Sequence, residues 1–409
     1  MSSAIRRDAV LRLARRTLAC PTAPFREGEV ITWVREFAAD RPHLRLREDP
    51  DGNLELRRRG VRARTSPLVL AAHLDHPGFR ALASRRVGDA WRVEAHFLGG
   101  VAPEYFAGAR ARFYTDGGEG RQVVARVERL RRPRDVRRGR GRAGRGKRTS
   151  GPKRTAARWP TAVLWAREPI PPGAFGTWDL PGFRRSRRNP DRIASRAADD
   201  LAGVAAILAL LDAVERIDPR RRVDVRGLLT RAEEVGFLGA LAVARGRRLP
   251  RGARILAVEA SKALPHAPQG AGPILRVGDR TSIFDDALTR WMVRVAEGLA
   301  AQRGARFAWQ RRLMDGGTCE STAYQLYGYA CAAVCLPLGN YHNMGPGGRI
   351  AAETIRLSDL VGLVRLFEGL VRADAVVPRR GRRADPLRER LEGLLQERRG
   401  ELARDPFAS

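Results

Sequence analysis

The sequence predicts an α/β protein with a small β domain inserted into it. Two observations carry that prediction. Short apolar runs that end on polar residues alternate with stretches of helical periodicity at both ends of the chain, as in an open, mostly parallel or mixed sheet with helices on its faces. Between them, residues 86–190 change character, with strand-like pieces separated by glycine-rich turns. A 409-residue chain that is 43% hydrophobic has ample material for such a core.

Residues 4–19 place Ile5, Val10, Leu13 and Leu18 among arginines at helical spacing, and Glu27–Ala39 repeats the pattern with Val30, Ile31, Val34 and Phe37. Asp49–Asn53 is a turn between strands Leu44–Arg47 and Leu54–Arg58. Pro67–Ala72 is an apolar run fit for a central strand, and it delivers His73-Leu74-Asp75-His76. These segments make 1–85 the first part of the host. In the insert, 86–190, the strands expected are Trp91–Phe97, Ala109–Tyr114, Arg121–Val127 and Ala162–Ala166. The host resumes over 191–375. A helix follows Asp199-Asp200, running from Gly203 to Val214. A buried strand over Val223–Thr230 leads into Arg231–Ala240, which reads as a helix opening on Glu233-Glu234. Strand Arg254–Val258 ends at Glu259, a helix covers Asp285–Gln302, and strand Ala330–Leu336 precedes Tyr341-His342. A last helix covers Ser358–Val371. Residues 376–409 form a charged tail with a helix near Leu387–Arg399.

The formal charge is +32, and all but three of the 77 basic residues are arginine. Such a balance admits nucleic acid or another polyanion as partner. The densest run, Arg131–Arg154, holds twelve basic residues and one acid, Asp135. It lacks apolar periodicity and reads as a disordered loop. The rival reading is an arm that binds nucleic acid through counterion release. No aromatic is interleaved to stack on bases, so nucleic acid is not the favoured partner. Four cysteines, Cys20, Cys319, Cys331 and Cys335, do not make a disulfide framework in a chain this long. Arg6 and Arg7 are not followed by an apolar h-region, and no run of eighteen apolar residues occurs. A cytoplasmic protein without a membrane partner is the expectation.

The residues just beyond the expected strands carry the chemistry: His73, Asp199, Glu233, Glu234, Glu259 and His342. Each has a plain alternative. A histidine at a strand end is commonly a hydrogen-bonded rim residue, Asp199-Asp200 would serve as a helix cap, and Glu259 would serve as a surface acid. Jointly, however, they map to one edge of one sheet, where open α/β sheets place their sites. Two imidazoles (His73, His342) and three carboxylates (Asp199, Glu234, Glu259) suit two divalent ions, zinc first, with cobalt or manganese at the same ligands. Three carboxylates against two such ions leave one surplus positive charge for a hydroxide or a substrate oxygen. Five ligands require one to bridge, and Asp199 is the choice. Glu233 is then the candidate general base. Asp75 is placed to accept the other imidazole N–H of His73. His43, His76, His96 and His266 are read as structural or exposed.

In this order the residues resemble the tetrahedral, or deblocking, aminopeptidases, also labelled glutamyl aminopeptidase or endoglucanase-like, a family of co-catalytic zinc metallopeptidases. The similarity runs from about residue 10 to 372. It includes Ala72-His73-Leu-Asp75-His-Pro-Gly78-Phe79, Ala198-Asp199-Asp200-Leu-Ala-Gly203, Glu233-Glu234-Val-Gly236-Phe-Leu-Gly239-Ala240 and Gly316-Gly317-Thr318. The resemblance implies a three-layer α/β/α catalytic domain with a barrel-like insert. It implies one metal on His73, Asp199 and Glu259, the other on Asp199, Glu234 and His342, and Glu233 as base. Gly317 and Thr318 would belong to the substrate-binding wall. It also implies aminopeptidase activity on short peptides and self-assembly through the insert. A carboxypeptidase or N-acyl amino acid deacylase of the same superfamily is the second reading; a polyanion-binding protein with a vestigial hydrolase site is the third. As a divergent member the chain departs in four places. Glu259 stands for the usual Asp, His76 for an acid, and Cys319 for the Asp after Gly-Gly-Thr. Tyr341 directly precedes His342, where one residue usually intervenes.

Overall fold

A computed structural model describes residues 3–115, 120–131, 159–304 and 306–376, together with positions 390, 393 and 396. The host opens with α1 (Arg7–Ala19), α2 (Gly28–Ala39), β1 (Leu44–Glu48), β2 (Leu54–Arg58) and β3 (Leu68–His73). A closed barrel follows, built from β4 (Gly78–Val87), β5 (Ala90–Leu98), β6 (Arg110–Tyr114), β7 (Gln122–Arg131), β8 (Thr161–Ala166) and β9 (Phe175–Trp178). Strands β10 (Arg184–Arg185) and β11 (Arg192–Ser195) return the chain to the host. The host continues through α3 (Ala198–Ile217), β12 (Val225–Thr230), α4 (Leu238–Arg245), β13 (Arg254–Lys262), β14 (Ile274–Gly278), α5 (Asp286–Ala300) and β15 (Gln310–Leu313). It finishes with α6 (Glu320–Leu326), β16 (Ala330–Leu338), β17 (Glu353–Arg356) and α7 (Leu357–Val376).

The large sheet has eight strands in the order β1-β2-β12-β3-β13-β16-β14-β15. Its centre, β12-β3-β13-β16, is parallel, and its flanks are antiparallel where β2 meets β12 and where β14 meets β16. Central parallel strands are covered on both faces, which is why β3 is apolar without alternation up to His73 and why β3 and β12 are both wholly buried. Along β3, Leu68, Leu70 and Ala72 pack towards α1, α3 and α7, while Val69 and Ala71 pack towards α4 and α6. The result is the expected α/β/α sandwich. Helix α3 is buried nearly all round, as a helix needs to be when it is apolar on every face.

The barrel closes because β9 pairs with both β4 and β6. Its core is aromatic: Phe79, Phe97, Phe106 and Trp178 meet edge to face, with Phe97–Phe106 centroids 4.8 Å apart and Phe79–Trp178 4.9 Å apart. The expected insert boundary at 86 falls inside β4; the barrel begins at Gly78. There a β-carbon would collide with Ala23 and the Gly176 carbonyl, so only glycine lets the strand leave the sheet so soon after His73.

A second correction concerns Arg231–Ala240. The helix begins only at Leu238, and the acid pair lies in the turn before it. Ala232, Gly236 and Phe237 all take positive φ there, which a continuous helix forbids. Of Arg131–Arg154, only Arg131 falls among the described residues, as the last residue of β7; the helix expected near Leu387–Arg399 lies outside them except for positions 390, 393 and 396. No helix among the described residues is long and apolar enough to cross a membrane.

Candidate metal centre

The four central parallel strands bring their carboxyl ends to one edge, and the candidate residues gather there. His73 closes β3, Glu233 and Glu234 occupy the turn after β12, and His342 sits in a short turn after β16. Glu259 stands within β13 rather than beyond it, opposite Cys335 of β16. Asp199 enters from above, where the start of α3 is not yet helical.

Both imidazoles are aimed by backbone carbonyls. His73 donates Nδ1–H to the Asp75 carbonyl at 3.0 Å, and His342 donates Nδ1–H to the Gly100 carbonyl, just past β5 of the barrel, at 2.5 Å. That leaves each Nε2 facing carboxylates. His73 Nε2 lies 3.6 Å from Asp199 Oδ1, 3.8 Å from Glu259 Oε2 and 3.9 Å from Glu233 Oε2. His342 Nε2 lies 3.3 Å from Glu234 Oε1 and 3.7 Å from Asp199 Oδ2. Asp199 therefore offers one oxygen to each histidine.

Three groupings hold their donor atoms within 4.8 Å of one another: His73, Asp199 and Glu259; Asp199, Glu234 and His342; and His73, Glu233 and Glu234. Glu234 Oε1 and Glu259 Oε1 are buried without a hydrogen-bond partner, a costly arrangement unless a cation compensates it. The electrostatics agree. Burial pushes Glu259 up to about 8 and Glu233 well above the usual carboxylate range. Burial alone would lower His342, but Glu234 and Asp199 outweigh it and push the imidazole up to about 9. Protons held on both acids and bases mark a pocket with more negative charge than its own side chains neutralise. The donor set and the two orphan oxygens fit divalent cations.

The supporting shell corrects one expectation. The carboxylate of Asp75 does not hold the His73 imidazole; its Oδ1 is 3.7 Å from Nδ1, and the Asp75 carbonyl does that work. The carboxylate instead accepts the backbone N–H groups of Glu233 at 2.9 Å and Glu234 at 3.1 Å. His76, read as structural or exposed, is buried against the centre: its Nδ1 meets the Asp199 carbonyl at 2.6 Å and its Nε2 meets Asn343 Oδ1 at 3.0 Å. Glu353 was not singled out in the sequence. It is fully buried and accepts N–H groups from Ala198 at 2.7 Å, Asp199 at 3.1 Å and His342 at 2.9 Å, tying α3 to the His342 turn.

The centre opens into a cavity of about 570 Å³. Gly317 and Thr318 line it, and the Thr318 hydroxyl pairs with that of Thr281 at 2.5 Å. Its wall also includes Cys319 and Tyr341, noted in the sequence as departures within the motifs, and Arg276 and Lys262, which no sequence pattern placed in the site. The only signal for Arg276 was a lone charge in the apolar run Ile274–Val277. His43, His96 and His266 do not line the cavity.

Residues 169–360 match the model of the M42 glutamyl aminopeptidases. Over that segment the chain is similar to the M42 family. That match begins near the end of the barrel and takes in Asp199, Glu233, Glu234, Glu259 and His342, while His73 lies upstream of it. Solved structures share the fold of the chain. An aminopeptidase from the archaeon Desulfurococcus kamchatkensis is 21% identical, with a TM-score of 0.68, over 90% of this chain and 95% of that one. A TET aminopeptidase from a marine sediment Thaumarchaeota archaeon is 20% identical, with a TM-score of 0.67, over 94% and 99%. The TET1 peptidase of Pyrococcus horikoshii is 18% identical, with a TM-score of 0.65, over 88% and 99%. At these identities the likeness establishes the fold. No curated protein sequence matches the chain.

Proposed function

We propose that this chain is a metal-dependent aminopeptidase that works with two divalent ions, zinc first among them, on short peptides. The observation that carries the reading is Asp199, whose two oxygens face two different imidazoles, each backed by a further glutamate. His73, Asp199 and Glu259 would hold one ion, and Asp199, Glu234 and His342 the other. Divalent ions in these positions supply Lewis-acid polarisation of an amide carbonyl and a nucleophile at neutral pH.

The chain's own part is orientation and proton transfer. Carbonyl-bound Nδ1–H groups fix both imidazole tautomers so that Nε2 is the free donor. Glu233 is not needed to complete either set of three, and its burial favours holding a proton. It takes the proton of the attacking water and returns it to the departing amine. The wall from Gly316 to Cys319 and the side chains of Lys262 and Arg276 shape the space for the first residue of the peptide.

The test is metal analysis coupled to substrates. The purified chain is expected to carry about two ions, the count a co-catalytic hydrolase site uses. It is expected to cleave amino-acid p-nitroanilides and to lose that activity to a chelator. Less than one ion per chain sinks the proposal. Cleavage of N-acetyl amino acids alone moves the chain to the deacylases. We also propose that the chain self-assembles; a Pyrococcus horikoshii structure of the same fold is described as forming a tetrahedron or a large octahedral shell. Light scattering that finds a monomer overturns this.

A further inference from the structure

Amide hydrolysis at this centre places negative charge on the carbonyl oxygen, and that charge needs a hydrogen-bond donor. The groups around the centre are poor at this. With ions bound, Asp199, Glu234 and Glu259 would be charged acceptors, Glu233 serves as the base, and the donating nitrogens of His73 and His342 are turned away onto carbonyls. On the cavity wall Arg276 is already donating to Ser261 and Lys262 is exposed, which leaves three hydroxyls, on Ser261, Thr318 and Tyr341. Thr318 is tied to Thr281, and Ser261 accepts Arg276 Nη1 at 3.4 Å while its own hydroxyl is hydrogen-bonded to Cys335. The Tyr341 hydroxyl has no hydrogen-bond partner among the described residues.

Tyr341 is also held firmly in place. Its ring lies flat on His342, with centroids 3.8 Å apart and planes at 21°. The turn that carries it is pinned on both sides: Asn340 Nδ2 donates to the Ala352 carbonyl at 2.8 Å, and the His342 N–H donates to Glu353 at 2.9 Å. A phenol carries an O–H that can donate. A ring fixed against one imidazole of the centre, on a residue that lines the substrate cavity and whose O–H no other group among the described residues uses, suits the stabilisation of an oxyanion.

We propose that Tyr341 is a catalytic residue whose O–H donates to the substrate carbonyl oxygen as it becomes an oxyanion. This rests on the metal-dependent hydrolase reading above. A purely structural Tyr341 would need only its ring, which stacks on His342; a catalytic one needs its oxygen. Tyr341→Phe separates the two.

In Tyr341→Phe the expected result is a fall in kcat of about 100-fold, the usual loss for one oxyanion donor, with KM changed by less than about threefold. Metal content should equal that of the unaltered chain. Binding should report the same split: the aminophosphonate analogue of leucine, whose tetrahedral oxygens stand for the oxyanion, weakens in parallel with kcat, while leucine itself binds as before. Tyr341→Leu, which also removes the stack, is expected to add a loss of metal affinity. If Tyr341→Phe keeps kcat within about threefold and binds the aminophosphonate like the unaltered chain, Tyr341 is structural and the proposal is overturned. If the unaltered, metal-loaded chain neither cleaves free-amine substrates nor binds the analogue, the hydrolase reading fails first and takes this one with it.

Discussion

The carboxylate of Asp75 accepts the backbone N–H of Glu233 at 2.9 Å, so an acid just past β3 sets the position of the proposed base just past β12. A second bond to the Glu234 N–H, at 3.1 Å, uses its other oxygen. Two strands that pair in parallel are thereby joined again at the site itself. Asp75→Asn replaces one acceptor with a donor that faces an N–H, and it leaves the His73 imidazole on its carbonyl. The expected outcome is a loss in kcat/KM or metal affinity of about 10- to 100-fold, the range for residues that orient ligands from behind. Steady-state kinetics with metal titration checks it; wild-type values in both would make the Asp75 carboxylate dispensable.

Glu233→Gln keeps the shape of the side chain and removes its ability to take a proton. Asp199, Glu234, Glu259 and both imidazoles are untouched, so metal content should hold. Turnover should fall by about 100- to 10,000-fold, the contribution of a positioned general base. Metal analysis and turnover are measured on the same sample. Turnover that survives assigns the base elsewhere, and metal loss would make Glu233 a ligand through its grouping with His73 and Glu234.

The sequence made the strand ends legible for a simple reason. An apolar run in a parallel sheet must stop where it meets solvent, and His73, Glu233 and His342 all follow such runs. The two strands beyond β16 were harder. Ile274–Gly278 and Gln310–Leu313 are short and carry arginines, so neither apolar alternation nor a long run marks them. The acid-pair turn reads as helix because Ala, Glu and Leu favour helix, while the positive φ values that stop the helix at Ala232 and Phe237 leave no mark in residue type. Glu353 and the Asp75 carboxylate act on backbone N–H groups more than 150 residues away in Glu353 to Asp199 and Asp75 to Glu233. Contacts of that separation have no periodicity to betray them.

Metal binding should depend on pH with a definite sign. Burial alone would lower His342, but Glu234 and Asp199 push it up to about 9, above its ordinary value of 6.5. Without an ion, its protonated form stabilises the fold fully below about 6.5, and that contribution is lost as pH rises through about 9. An ion must displace that proton, so affinity should strengthen as pH rises from 6.5 to 9 and binding should release protons. Calorimetry in buffers of different ionisation enthalpy measures the release. Affinity that is flat or falls across that window contradicts the assignment of His342 as a ligand.

Glu320 is buried at the same edge of the sheet yet lines no part of the cavity. Burial pushes it up to about 7, and the hydrogen bond from the Thr230 hydroxyl, at 2.7 Å, only partly opposes this. A carboxyl raised in the folded state contributes its stability below the ordinary value of 4.5 and loses it as pH rises through about 7. The metal-free chain should therefore lose up to ~3 kcal/mol between those limits on this group's account, at about 1.36 kcal/mol for each pH unit that separates them. Glu320→Gln still accepts the Thr230 hydroxyl and has no charge to bury. In chelator-treated protein it should match the unaltered chain near pH 4.5, exceed it in stability at pH 8, and show a flatter dependence between. Urea midpoints at both pH values measure this; a variant less stable at pH 8 would mean that the Glu320 charge is compensated rather than stranded.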